Sequence, residues 1–350
     1  MHTRTIGNTD LQVSSIGMGC WAFGGGEYWG AQSQRDVNHV VHSALERGIN
    51  FFDTAEVYNQ GASEQALGVA LQGKRCQAIV LSKVSPSFAR RGILQAHCEE
   101  SLRRLQIETI DVYMLHWPIT PHALQHFSSD KNLLASPPTI EEAYEDLAKL
   151  KQAGKIRHIG VSNFGRSQME EIIGFGGEIV LNEITYNIVS RGIEAEILPW
   201  CQAHNVSIVG TMAVMQGLLT GKYATPEEVP YNQAHSRHYR QERGMGTSRH
   251  NENGAEDEMF ACVNALRTLS LDTGVSMAEL AIAWTLHQPG VASSLVGCRN
   301  VQQLEENLKA AQLTLSDDVI QTINRVSQPV LDKLGPNADY YENTQNSRIF

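Results

Sequence analysis

Apolar residues along the chain gather into short runs, separated by stretches whose apolar positions recur every three or four residues. The runs lie at 16–21, 49–53, 78–83, 110–116, 156–162, 178–186, 206–212 and 293–297. Runs of this length with few polar breaks read as strands buried on both faces. The intervening stretches read as helices. One starts at a Ser33 cap, places Val37, Val40, Val41, Ala44 and Leu45 on one face, and stops at Gly48. A second starts near Ser63 and ends at Gly73, and a third covers 90–105. Further helices are expected at 139–153, where Gly154 ends the pattern, at 167–173, 194–204, 256–274 and 276–288, and last at 300–310. Residues 3–15 read as a hairpin turning at Gly7-Asn8-Thr9-Asp10.

Eight strands, each followed by helix, in 350 residues predict a (β/α)8 TIM barrel with an N-terminal β-hairpin, as a single domain over 1–350. An open, doubly wound sheet is the other arrangement of such units. It needs a G-x-G-x-x-G turn after its first strand, and Gly24-Gly25-Gly26 has neither that spacing nor a helix directly on it. Long polar segments follow two of the strands, at 119–138 and 223–256, and 329–350 reads as a polar tail. The first two lie on the C-terminal face of the barrel, and all three are expected to set substrate choice.

Composition narrows the class. The chain is 42% hydrophobic and 19% charged, with a formal net charge of −10. That balance argues against nucleic acid or an anionic membrane as the main partner. The six cysteines are scattered with no C-x-x-C, and the first residues, Met1 to Thr5, lack an apolar signal core. No uncharged apolar stretch approaches the ~20 residues of a membrane helix. A cytoplasmic protein with reduced thiols is the expectation. His235, His238 and His250, in a long loop, fit no metal-ligand spacing and read as solvated surface.

The strand ends carry the chemistry. Ile49 to Phe52 is followed by Asp53, with Tyr58 five residues on; 79–82 is followed by Lys83; and 110–115 by His116. A carboxylate ending a buried strand needs a cation, and Lys83 is the nearest offered. In a barrel these ends converge on one mouth. An ammonium beside a phenol lowers the phenol pKa from ~10, each unit being about 1.4 kcal/mol. Tyr58 beside Lys83 would then give a proton to an oxygen that His116 orients. A Lys beside Asp53 is a poor setting for a divalent metal, so a metal-dependent hydrolase is disfavoured, and no metal is expected.

These residues resemble the aldo-keto reductase family over nearly the whole chain. The matching pieces are Asp53-Thr54-Ala55 with Tyr58, Gly61, Ser63 and Glu64; Ser82-Lys83-Val84; Leu115-His116-Trp117-Pro118; Gly154-Lys155-Ile156-Arg157 leading to Gly160-Val161-Ser162-Asn163-Phe164; and Gly217 to Lys222. The details resemble a bacterial subgroup that includes general stress and inositol-related reductases. The resemblance implies a nicotinamide-dependent oxidoreductase acting on a carbonyl or polyol. Tyr58 would be the general acid, Lys83 its modulator, Asp53 the partner of Lys83, and His116 the orienting group. NADP(H) is implied over NAD(H), with Ser162 and Asn163 on the carboxamide and Leu218, Thr220 and Lys222 over the pyrophosphate. Gly297, Arg299, Gln303, Glu306 and Asn307 would surround the adenosine end. Trp21 and Trp117 would wall the substrate pocket.

Two positions depart from the resembled pattern. Glu183 stands where Gln is usual, and Thr211 where a stacking Tyr is usual; a one-residue change of register would present Asn182 instead, and Tyr186 lies close by. An ionised Glu183 accepts hydrogen bonds only and favours the positively charged oxidised ring. A rival reading is a non-catalytic, NADP-binding regulatory barrel resembling channel β-subunits. The complete Asp-Tyr-Lys-His set argues for the enzyme.

Overall fold

A computed structural model describes residues 1–350. The hairpin pairs β1 (Thr3–Thr5) with β2 (Gln12–Ser14) antiparallel. The strands β3 (Ile16–Gly19), β4 (Phe51–Asp53), β5 (Ile79–Val84), β6 (Ile110–Leu115), β7 (Ile156–Ser162), β8 (Leu181–Thr185), β9 (Ser207–Thr211) and β10 (Val291–Val296) follow. These eight close into a barrel in the order β10-β3-β4-β5-β6-β7-β8-β9, and every neighbour pair is parallel. The expected barrel and hairpin are both present.

Period-two alternation decides what fills the barrel. Phe51, Leu81, Val112, Met114, Leu181, Val209 and Leu295 form one buried cluster with Ile6, Leu11 and Val13 of the hairpin region. The hairpin therefore plugs the N-terminal end of the barrel. Two residues further along the same parity come Asp53, Lys83, His116, Glu183, Thr211 and Gly297. The interior is apolar in its lower layers and polar at its C-terminal rim, so the packing that holds the barrel closed also aims the polar set into its mouth.

The Ser33 cap appears where the sequence placed it, and the helix expected from 139 has a cap of its own. Ser33 Oγ accepts from Asp36 N at 3.2 Å at the start of Gln34–Glu46. Thr139 and Glu142 form a reciprocal capping box on Ile140–Gln152. Elsewhere the expectation is corrected. The segment 119–138 holds two short helices, Pro121–Phe127 and Lys131–Ala135. The last helix is Asp317–Leu334, beyond the 300–310 helix, and Pro329 lies inside it. A proline signals a stop because it lacks an N–H; here Ile320, Ile323 and Val330 are buried along one face, and that packing outweighs the lost bond.

Within the two segments expected to be polar surface, 223–256 and 329–350, several polar side chains are nevertheless buried. His238 and His250 are buried, and His238 Nε2 lies 3.0 Å from Val189 O. Arg237 reaches across to the carbonyls of Asn337 at 3.0 Å and Leu334 at 2.9 Å. In the tail, Asp339 accepts from Arg348 Nε at 2.9 Å and Nη2 at 2.6 Å, and from the Tyr341 and Glu342 amides. The Arg348 guanidinium rests 3.9 Å from the Trp117 ring centroid. Arg237, Asp339 and Arg348 are buried here because their polar atoms find partners within the protein.

Burial acts to raise the Asp339 pKa, but its bonds to Arg348 prevail and hold it below the usual carboxylate range. Its stabilisation is thus present at neutral pH and lost as pH falls through that lowered value. Hydrogen bonds to charged groups contribute about 1.5–3 kcal/mol each. Asp339→Asn is expected to speed amide exchange across 337–349 at least about tenfold at pH 7, read by mass spectrometry. Unchanged exchange would mean that the pair does not hold the tail.

Candidate active site

Asp53 ends β4, and Lys83, on β5, is paired to it across the barrel mouth. Lys83 is fully buried. Its ammonium donates to Asp53 Oδ1, to the Thr54 carbonyl at 3.1 Å and to Tyr58 Oη at 3.3 Å. Glu183 Oε1 lies 3.3 Å from the same nitrogen. One buried cation is therefore held by two carboxyl groups and a phenol.

Tyr58 reaches this point through a strained turn. Asn59 and Gln60 both have left-handed backbone, φ 49° and 56°. The Asn59 side chain fixes the turn by donating to the carbonyls of Trp21 at 3.0 Å and Phe23 at 2.8 Å. Gly26, φ 105°, lies against it; a Cβ there would stand 2.6 Å from Asn59 Oδ1. The 22–26 loop and the Tyr58 turn are thus locked together, which limits how far the phenol can move.

The electrostatics correct one expectation. Burial drives the Tyr58 pKa up, Lys83 opposes it, and Asp53 and Glu183 add to the rise, so the phenol ends above its ordinary range. The lowering expected from the ammonium is outweighed, first by burial and then by the two carboxyls that share its charge. Tyr58 is consequently a protonated phenol at neutral pH, fit to donate. Burial also works against the Lys83 charge, yet Asp53 and Glu183 keep its pKa above normal. His116 is pushed well below its usual range by burial, Lys83 and Arg348. It is a neutral imidazole, its Nδ1 has no partner, and its ring meets Tyr58 edge-on at 5.5 Å.

The register question is settled by parity. Asn182 points away from the barrel interior, donating to Phe164 O at 2.9 Å. Glu183 faces inward. Burial and Asp53 raise its pKa well above the carboxylate range, against the pull of Lys83.

A cavity of about 730 Å³ opens beside this group. Trp21, Asp53, Tyr58, Glu183 and Thr211 line its inner end. Thr220, Gly297, Arg299, Gln303, Glu306 and Asn307 line the rest. Ser162, Asn163, Leu218, Lys222 and Trp117 are not on its wall. Asn163 instead donates to His116 O at 3.1 Å and to Ser162 Oγ at 3.0 Å, Leu218 is in the core, and Lys222 lies over the Tyr223 ring. The sequence reading missed Trp29, Gln216 and Lys309, which do line the cavity. Trp29, just beyond the glycine loop, could have been suspected; the other two carry no signal of their own.

The cavity is lined to take a ligand with polar groups. Trp29 Nε1, Glu183 Oε2, Gln216 Nε2 and Arg299 Nε are buried on its wall without partners. Buried polar atoms normally have partners, so four together mark where a ligand completes them. Gly19 and Gly297 face each other there, and a Cβ on Gly297 would meet nothing closer than Gly19 O at 3.9 Å. The space is left clear for a ligand. Arg299 is partly engaged, donating to the carbonyls of Trp29 at 2.5 Å and Ala31 at 2.7 Å.

Comparison with known proteins agrees with this geometry. The family described as "Aldo/keto reductase family" matches residues 15–328. The aldo-keto reductase YhdN of Bacillus subtilis is 31% identical, over 96% of this chain and 97% of that protein. The NADH-specific methylglyoxal reductase of Escherichia coli is 30% identical, over 91% and 95%. Among solved structures, a glycerol dehydrogenase of Gluconobacter oxydans superposes with a TM-score of 0.75 at 28% identity, covering 96% of each chain.

Proposed function

The chain belongs to the aldo/keto reductase family, and on that premise we propose that it interconverts a small aldehyde or ketone with the matching alcohol, using NADP(H), in the cytoplasm. The observation that carries this reading is the Tyr58 hydroxyl, 3.3 Å from a buried ammonium on the wall of a cavity of about 730 Å³. The cofactor, when bound, supplies or takes up the hydride. The chain's own residues do the rest. Tyr58 holds the proton that the carbonyl oxygen needs. Neutral His116 hydrogen-bonds and orients that oxygen. Trp21 and Trp117 shape the substrate side, and the Arg348 tail covers Trp117.

Glu183 and Thr211 border the place for the nicotinamide, with Ser162 and Asn163 beside them. Thr220, Gly297, Gln303, Glu306 and Asn307 hold the nucleotide end, with Leu218 and Lys222 backing that loop. Arg299 and Lys309 are the cations on that wall, which favours a cofactor bearing a 2′-phosphate over NAD(H). The complete acid–base set supports an enzyme over a regulatory barrel of the channel β-subunit type.

The relatives suggest where to begin. Methylglyoxal, dihydroxyacetone and glycerol head the panel for an absorbance assay at the nicotinamide band, run with NADPH and NADH. Turnover of at least one carbonyl is expected, with kcat/KM at least about tenfold higher for NADPH, the ratio of one charge-assisted contact. No turnover and no cofactor binding would reject the reading.

A further inference from the structure

Lys83 is shared by more carboxyl groups than a single ammonium neutralises. Asp53 alone suffices as its counter-ion. Glu183 is 3% exposed, sits 3.3 Å from Lys83, lines the cavity and leaves Oε2 buried without a partner. An ionised carboxylate with a bare, desolvated oxygen is costly. A neutral carboxyl is the cheaper occupant until a positive charge arrives in the cavity.

The distances form a chain. Tyr58 Oη to Lys83 Nζ is 3.3 Å, and Lys83 Nζ to Glu183 Oε1 is 3.3 Å. A proton given up by Tyr58 can be replaced from Lys83, and Lys83 in turn from the Glu183 carboxyl. We propose that Glu183 is the proton store of this site: a carboxylic acid opposite the reduced cofactor and a carboxylate opposite the oxidised one. This rests on the reading of the cavity as a nicotinamide site.

The charges balance. On carbonyl reduction the substrate carbon gains a hydride and its oxygen gains the Tyr58 proton. The phenolate is refilled through Lys83, and Glu183 is left ionised. One positive charge on the ring is matched by one negative charge on Glu183, so the net charge of the closed site is unchanged. A carboxylate formed there also stabilises the oxidised cofactor, which pulls the bound equilibrium toward the alcohol and slows cofactor release.

The groups facing Glu183 are Lys83 on β5, Asp53 on β4 and Tyr58 beyond it. His116 on the neighbouring strand end is neutral. Of these, Lys83 is bonded directly to Asp53, and Glu183, with its partnerless Oε2 on the cavity lining, is the group placed to answer a change in ring charge. The sign follows: binding the oxidised cofactor expels a proton, and its affinity therefore rises with pH; binding the reduced form expels none.

Calorimetric titration of the whole protein with NADP⁺ and with NADPH, in two buffers of different ionisation enthalpy at pH 7, counts those protons directly. The expected result is at least about half a proton more released with NADP⁺ than with NADPH. Glu183→Gln, close in shape, is expected to abolish that difference and to weaken NADP⁺ relative to NADPH about tenfold, the equivalent of one pKa unit. Equal proton counts in the unaltered protein overturn the inference without any variant. So does a difference that survives in Glu183→Gln. If neither cofactor form binds, the cavity assignment itself fails.

Discussion

Tyr58→Phe is expected to lower kcat for carbonyl reduction by about 10²–10⁴, the usual contribution of a positioned general acid, while the affinity for NADPH changes less than about threefold. The ring remains and only Oη is lost. Its contacts with Trp21 at 6.0 Å and His116 at 5.5 Å between ring centroids persist. The pocket keeps its shape, and Lys83 keeps Asp53, Glu183 and the Thr54 carbonyl. A fall in kcat with KM unchanged is the signature of an interaction made in the transition state. The pH profile gives a second reading. Because burial lifts the Tyr58 pKa above the ordinary phenol range, reduction stays undiminished from neutral pH to at least pH 9 as far as this group is concerned. Alcohol oxidation, which needs the phenolate, rises with pH over the same span. Full turnover by the phenylalanine variant would move the acid elsewhere, with His116 the next group to test.

Alternation along the strands made most of this site readable in advance. Once 49–53, 79–83 and 110–116 are strands of one barrel, the parity that buries Phe51, Leu81 and Met114 sends Asp53, Lys83 and His116 to the same rim. Glu183 follows from the same parity, because Leu181 lies two residues before it. Other features could not be read from pattern. The direction of the Tyr58 shift depends first on how deeply the phenol is buried and then on how many carboxyls crowd one ammonium, and that is a sum over three strands. The burial of polar side chains within 223–256 and the tail depends on Arg237 finding carbonyls 97 and 100 residues away and on Asp339 closing onto Arg348. Polar composition signals a surface loop only when the polar groups have no one but water to bind. The helix Asp317–Leu334 was not among the expected elements, and it continues through Pro329, a local stop signal overridden by the tertiary packing of its neighbours.

Lys83→Met is the second large effect, and it separates structure from chemistry. Removing the cation leaves Asp53 and Glu183 buried together with nothing positive near them. Breaking a buried pair in this way costs about 3–5 kcal/mol. The cost depends on pH. In the unaltered protein the raised Lys83 pKa means that its stabilisation is fully present below about 10.4, the value in the unfolded chain, and is lost only above that. Across pH 5–8 this term is flat. In the variant the two carboxyls must hold protons to stay buried, so the native state binds more protons than the unfolded chain and stability falls as pH rises. Urea denaturation is therefore expected to show a modest deficit at pH 5 that widens by at least about 1.4 kcal/mol, one pKa unit, at pH 8. A deficit equal at both values would show that the carboxyls find another partner. Turnover separates the roles further. If Lys83 acts on the substrate only through Tyr58, then Lys83→Met added to Tyr58→Phe should lower kcat little beyond the single change, because residues that act as one unit do not add. Additive losses would mean that the ammonium meets the substrate by a route of its own.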